Sequence, residues 1–168
     1  MQIKDLFLAQ LDREAPVTRR MLERVPEGRP DWKPHEKSMT LAYLSALVAT
    51  MPSWIESMVN HPELDIAPKD GSKYAPTSFA TNRELLEGFE SSVVRGRKAL
   101  ADTSDEHLMT HWRMLVAGHV VADNPRHLVV CDTFTHWAHH RGQLSVYLRL
   151  NSVPLASIYG PTADEKGF

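Results

Sequence analysis

Hydrophobic residues recur every three or four positions in four stretches of the chain, which is the spacing of helices that bury one face. The pattern predicts helices over residues 3–25, 40–59, 82–101 and 125–150. Pro16 predicts a kink or a break in the first helix and Pro52 a bend in the second, because proline lacks an amide donor and clashes with the preceding turn. Four helices of this length predict an all-α four-helix bundle.

The segments between these helices predict one long loop and one small hairpin. Residues 60–80 are rich in Pro, Gly, Asp and Ser, which predicts a long surface loop between the second and third helices. A short helical turn is expected at 104–109, and the β-favouring residues of 112–121 predict a small β-hairpin before the fourth helix. The tail at 152–168 is expected to be ordered but irregular, so that residues 1–168 form a single domain.

Capping residues precede three of the predicted helices. Ser38 or Thr40 is expected to cap the second helix, and residues 81–84 (Thr-Asn-Arg-Glu) have the form of a capping box before the third. Asn124 is the expected cap of the fourth helix, with Pro125 at its first helical position.

Composition limits the classes of protein to which the chain can belong. The 168 residues include 19 basic and 21 acidic side chains, and the net charge of −2 argues against binding to nucleic acid or to an anionic membrane. No apolar run is long enough for a transmembrane helix, and the first residues do not resemble a secretory signal. The single cysteine, Cys131, is expected to be buried and inert. A cytoplasmic location is therefore expected.

Nine histidines are the most distinctive feature of the composition, and two of them have the spacing of metal ligands. His136 and His140 are four residues apart, so a helix places them on one face, where two imidazoles can bind one metal ion. Such a pair also arises by chance in a histidine-rich chain, and a stable site needs further ligands from elsewhere. Asp132, one turn earlier, is either an acceptor that orients a ring or a solvated carboxylate. Arg141 is expected in a salt bridge or an interface.

The fourth helix also carries an apolar stripe on another side. Its members are Val130, Phe134, Trp137 and Leu148. A helix with one apolar face and one histidine-lined face leaves little surface for solvent. It is therefore either central in the bundle or part of a subunit interface.

Several segments together resemble the DinB/YfiT-like superfamily. The run 136–149 (HWAHHRGQLSVYLR) resembles the final helix of that superfamily, and 153–165 (VPLASIYGPTADE) resembles the tail of one DinB subgroup. Residues 31–39 (DWKPHEKSM) and 22–26 (LERVP) resemble the segments before the second helix in the same subgroup. The resemblance thus extends over nearly the whole chain, in the right order.

The resemblance implies a bacterial four-helix bundle that forms a homodimer and holds a divalent metal such as nickel or zinc. In the family pattern three histidines bind the metal, one from the second helix and two from the last, and the last two correspond to His136 and His140. Some relatives are thiol-dependent enzymes, including bacillithiol transferases and mycothiol-dependent isomerases. The resemblance therefore implies a metal-dependent enzyme of the hydrolase or thiol-transferase type that acts on a small molecule.

The sequence departs from the family pattern at the third ligand, where Leu47 stands in place of histidine. Three outcomes remain open: a site without metal, a weak site made by His136 and His140 with water, or a replacement ligand. The replacement candidates are Tyr43, Thr50 and His35. The alternative to an enzyme is therefore a non-catalytic DinB-fold protein that binds a ligand or a partner and whose metal site has decayed.

Overall fold

The computed structural model describes residues 2–72 and 77–166, and within them the chain is mostly helical with one small sheet. The helices and strands follow in the order α1 (Ile3–Leu22), α2 (Leu41–Thr50), a 3-10 turn (Met51–Ser53), α3 (Trp54–Asn60), β1 (Glu63–Asp65), α4 (Asn82–Asp102), α5 (Asp105–Leu108), β2 (His111–Val116), β3 (His119–Pro125) and α6 (Arg126–Leu150). The helix α6 packs against α1, α2 and α3, and α4 packs against the same three helices.

The two prolines have different effects on their helices. α1 continues through Pro16 as one helix and ends at Leu22, so the predicted break does not occur and the predicted end at residue 25 is three residues too late. The predicted helix 40–59 is instead divided at Pro52 into α2, the 3-10 turn and α3. Thr40 caps α2, because its hydroxyl accepts a hydrogen bond from the Tyr43 amide at 3.2 Å.

The break at Pro52 is supported by two small residues of α4. A side chain at Gly96 would meet the Pro52 carbonyl oxygen at 2.3 Å, so only glycine lets the two backbones approach this closely. The Ser92 hydroxyl donates to the Thr50 carbonyl at 3.0 Å and accepts from the Ser53 amide at 2.8 Å. These contacts provide partners for backbone groups at the junction between α2 and α3.

The three-stranded sheet changes the predicted all-α class. The hairpin of β2 and β3 is present as predicted, with Ala117 and Gly118 at positive φ in its turn. In addition, β1 pairs parallel to β2, and β1 lies within the segment 60–80 that was expected to be only a loop. This strand is three residues long and gains its order from pairing with β2, which is 46 or more residues away and cannot be seen in a local pattern. Residues 73–76 of the same segment lie outside the described residues.

The start of α6 also differs from the prediction. Asn124 and Pro125 belong to β3, where Asn124 pairs with Trp112, and Pro125 precedes the helix without a side-chain cap. Asn124 is therefore not the cap of this helix, because pairing in the hairpin places it in a strand. At α4, Thr81 accepts from the Glu84 amide at 3.2 Å, as predicted. The Glu84 carboxylate, however, accepts from the Ala80 amide and not from Thr81.

The core lies between α6 and the helices around it. The apolar stripe of α6 is buried there, as a central position of this helix requires. The residues of that stripe are Val130, Phe134, Trp137 and Leu148. Cys131, in contrast, is exposed, so the expectation of a buried cysteine is wrong; it follows Val130 and lies about 100° around α6 from this stripe. No helix among the described residues combines the length and the hydropathy needed to cross a membrane.

A buried ion pair joins α6 to α1 and to the irregular tail. The Arg141 guanidinium donates to the Glu14 carboxylate at 2.5 Å and to the Thr18 hydroxyl at 2.6 Å. The Tyr159 hydroxyl of the tail donates to the same carboxylate at 2.7 Å. Farther along the tail, Glu165 forms ion pairs with Arg20 of α1 and with Arg24, just after that helix. The prediction that Arg141 forms a salt bridge is confirmed.

Candidate functional site

The two predicted ligands, His136 and His140, contact each other on one face of α6. Their Nε2 atoms are 2.8 Å apart, which is a hydrogen-bond distance. The Nδ1 atom of His140 lies 2.8 Å from the Gln143 side-chain oxygen, one turn further along the helix. His140 is buried, and His136 is exposed at the edge of the pair. The neighbouring ring of His139 is exposed, with its centroid 5.1 Å from that of His140.

These contacts require one arrangement of ring protons. Nδ1 of His140 donates to the Gln143 oxygen, so Nε2 of a neutral His140 carries a lone pair. That nitrogen then accepts the proton of Nε2 on His136. Gln143 thus orients the ring of His140 with its lone pair toward His136, as a hydrogen-bonded carbonyl orients a metal ligand.

Both imidazoles favour the neutral form. Partial removal from water lowers the pKa of His136 although its side chain is exposed at the edge of the pair, and the nearby rings of His140 and His139 lower it further. Burial also lowers the pKa of His140; the hydrogen bond to Gln143 opposes this effect without reversing it. Neutral imidazole is the form that binds metals.

The position that corresponds to the third histidine of the family pattern lies in the core. Leu47 is only 6% exposed and belongs to the buried apolar cluster. Of the replacement candidates, Tyr43 and His35 are exposed, and the Thr50 hydroxyl donates to the Ala46 carbonyl at 2.9 Å. Within residues 2–72 and 77–166, no three His, Cys, Asp or Glu side chains are grouped as a metal site would require.

A cavity of about 910 Å³ opens beside the histidine pair, between α3, the sheet and α6. His136 lines it, and the ring of His136 lies 5.6 Å from that of Trp54, also on the wall. From α6, Asp132 and Thr133 line the cavity together with His136, which places three polar side chains on one wall. A concave, largely apolar space with a few polar groups is the usual form of a small-molecule site.

One face of the small sheet forms the opposite wall. Trp112 pairs with Asn124, and Met114 pairs with both Ala122 and Leu64, so the five side chains share one side of the sheet. All five line the cavity. None of these five residues is among the site residues predicted from the sequence. Alternation in the hairpin, with Trp112 and Met114 two residues apart, is the signal that could have shown a common face.

Of the Asp, Glu, Lys and Arg side chains that line the cavity, two form an ion pair and one has no partner among the described residues. Arg95 of α4 and Glu56 of α3 form an ion pair at 3.4 Å. Asp132 is exposed at the cavity wall, and no described residue forms an ion pair or a hydrogen bond with its carboxylate. Trp112 is buried, and its indole N–H also has no acceptor among the described residues. The exposed carboxylate of Asp132 is available to a ligand, whereas the buried indole N–H carries an energetic cost while it has no acceptor.

Comparison with known proteins supports the fold. No family model matches the chain, and no curated protein matches its sequence. Among solved structures, the DinB-like protein YjoA from Bacillus subtilis superposes with a TM-score of 0.68 at 16% identity, over 95% of this chain and 99% of YjoA. The chain has the DinB-like fold. A DinB-like protein from Bacillus cereus ATCC 10987 gives a TM-score of 0.66 at 20% identity, over 91% of this chain and 95% of that protein. The predicted resemblance to DinB-like proteins is confirmed at the level of this fold.

Proposed function

We propose that this DinB-like chain binds a small organic molecule in the cavity and that His136 and His140 bind a divalent metal at the cavity wall. The reaction would be of the hydrolase or thiol-transferase type that the family resemblance implies. The observation that carries the proposal is the position of His136, which lines the cavity and also contacts His140 through Nε2.

The two imidazoles are suitable ligands for such a metal, but they are fewer than the three histidines of the family pattern. Imidazole is a favoured ligand of zinc and nickel, and both rings favour the neutral form. Two nitrogen ligands on tetrahedral zinc lie about 3.3 Å apart, given Zn–N distances of about 2.0–2.1 Å. The observed 2.8 Å therefore requires the rings to separate by roughly half an ångström. Because Leu47 offers no donor, we expect weaker binding than in a three-histidine site.

The residues of this chain have distinct parts in the proposed site. Gln143 orients His140, and burial lowers the pKa of His140, which favours its neutral form. His136 would move its proton from Nε2 to Nδ1 to free a second lone pair. A bound metal would supply Lewis acidity at the cavity wall. The apolar walls would hold the substrate and exclude water.

Metal titration of protein without a polyhistidine tag tests the metal part of the proposal. We expect nickel or zinc to bind with a stoichiometry of one in calorimetry, and His136→Ala to weaken that binding at least about tenfold. His119→Ala, at the exposed first residue of β3, is the matched control and should leave binding unchanged. If His136→Ala binds as well as the unmodified chain, the histidine pair is not the metal site.

A second candidate function is a binding protein without metal or catalysis. The hydrogen bond between His136 and His140 favours it, because this bond and Gln143 give the facing ring nitrogens partners without any ion. Elemental analysis separates the two functions. This candidate predicts no stoichiometric metal and no thermal shift with nickel, zinc or manganese, while small molecules still bind in the cavity.

We also propose that the chain forms a homodimer through the outer face of α6. Leu128, Val146 and Leu150 are about half exposed and fall on one side of this long helix, where a second copy would cover them. Sedimentation equilibrium should give about twice the 19.0 kDa of one chain. Val146→Glu should shift the protein toward a single chain. A mass near 19.0 kDa for the unmodified protein would exclude the dimer.

A further inference from the structure

We infer that the cavity selects a small organic cation, an ammonium group on an apolar body, through the carboxylate of Asp132. The inference depends on the proposed function only for the statement that the cavity binds a small molecule. It does not depend on a metal.

The charged side chains that line the cavity favour a cationic ligand. Of the Asp, Glu, Lys and Arg residues that line it, Arg95 and Glu56 already form an ion pair. Asp132 remains, and no described residue pairs with it. The described wall therefore carries one uncompensated negative charge, which attracts a cation and repels an anion.

The aromatic and thioether side chains of the cavity walls also suit an organic cation. Trp54 and Trp112 line the same cavity as Asp132, with Met58 and Met114 among the apolar side chains around them. Indole rings attract cations through their quadrupole, and thioether and aromatic side chains accept an apolar body. A cavity whose walls carry both a carboxylate and tryptophan rings is thus a suitable environment for an amine with an aromatic or aliphatic group. An anionic molecule would meet Asp132 without an unpaired Lys or Arg among the described wall residues to offset it.

Three probes of similar shape and different charge test this inference on the full-length chain after chelator treatment. They are 2-phenylethylamine, 2-phenylethanol and phenylacetate. We expect the amine to bind about fivefold more tightly than the alcohol, as loss of one partly screened ion pair implies, and phenylacetate to bind most weakly. Calorimetry gives the affinities, and the fluorescence of the cavity tryptophans reports binding in the same place.

Two variants with opposite expected effects assign the preference to the charges of the cavity. Asp132→Asn should remove the roughly fivefold preference for the amine and leave the alcohol unchanged. Arg95→Gln should tighten amine binding, because it leaves the Glu56 carboxylate unpaired. Asp31→Asn, an exposed carboxylate that does not line the cavity, is the control for net charge.

The outcomes separate the inference from the proposed function. If the three probes bind equally, or if Asp132→Asn keeps the preference, selection of cations by Asp132 is wrong and the small-molecule site stands. If no probe binds at millimolar concentration, the small-molecule site itself is overturned, and the inference with it.

Discussion

Two polar pairs on α6 differ in how completely their hydrogen bonds are used. On one side, the buried Arg141 guanidinium contacts Glu14, Thr18 and Tyr159, and nearly every donor and acceptor has a partner in the protein. On the other side, His136 contacts His140 through Nε2 and lines the cavity, and no described residue forms a hydrogen bond with its Nδ1. The first pair joins helices and tail, and the second is open to a ligand.

The difference shows how one helix can separate stability from function. A buried charge must be paired and hydrogen-bonded, so the surroundings of Arg141 permit little change. The two histidines can remain neutral at a low cost in free energy while His136 lines the cavity, so they can still bind a ligand. Mutations on the two sides of α6 should therefore affect different measurements.

The largest expected effect on stability comes from breaking the buried ion pair between Arg141 and Glu14. Arg141→Met leaves the Glu14 carboxylate buried without its cation, and we expect a loss of about 3–5 kcal/mol in the free energy of unfolding. Urea denaturation followed by circular dichroism measures it. Arg97→Met, which breaks the exposed pair with Asp12, is the control and should have little effect. A small loss in Arg141→Met would contradict the structural assignment.

The next largest expected effect is on metal affinity at the His136–His140 pair. Leu47→His should restore a third ligand and raise the affinity for nickel or zinc by at least about tenfold, measured by calorimetry. Leu44→His, at another buried position of α2, is the control: it should destabilise the fold without raising metal affinity. Unchanged affinity in a folded Leu47→His protein would show that this position does not face the pair.

The smallest expected effects are on the pH dependence of stability. The His136–His140 pair and the Arg141–Glu14 pair should lose stability over different pH ranges. The histidine pKa values lie below the ordinary 6.5, so the unfolded chain binds more protons and stability falls as pH decreases below about 6.5. Burial raises the pKa of Glu14, but the bonds from Arg141 and Tyr159 outweigh it and lower that pKa below the ordinary 4.5. Stability from Glu14 is therefore retained above 4.5 and lost as pH falls through its lowered pKa.

Denaturation at several pH values in two variants separates these pH ranges. His136→Ala should reduce the loss of stability between about pH 6.5 and 4.5 and leave the loss at lower pH. Glu14→Gln should show the reverse pattern around a lower overall stability. Identical pH profiles in the two variants would contradict the assignment.

Much of the helical fold could be predicted because apolar spacing and capping are local. The bend at Pro52 and the cap at Thr40 follow from single residues. The strand β1 and the end of β3 could not be predicted, because they depend on pairing between distant segments. Propensity at Asn124 favoured a helix cap, and the hairpin overrode it.

For the site, the sequence alone determined that His136 and His140 share a helix face and that Leu47 cannot supply the third ligand. Helical spacing and the chemistry of a side chain are sufficient for both statements. Only the tertiary structure decided that the sheet faces α3 and α6 across a cavity, and that Asp132 lines it without a partner in the described part of the chain. A cavity is the space between elements that are far apart in the chain, and no local pattern specifies it.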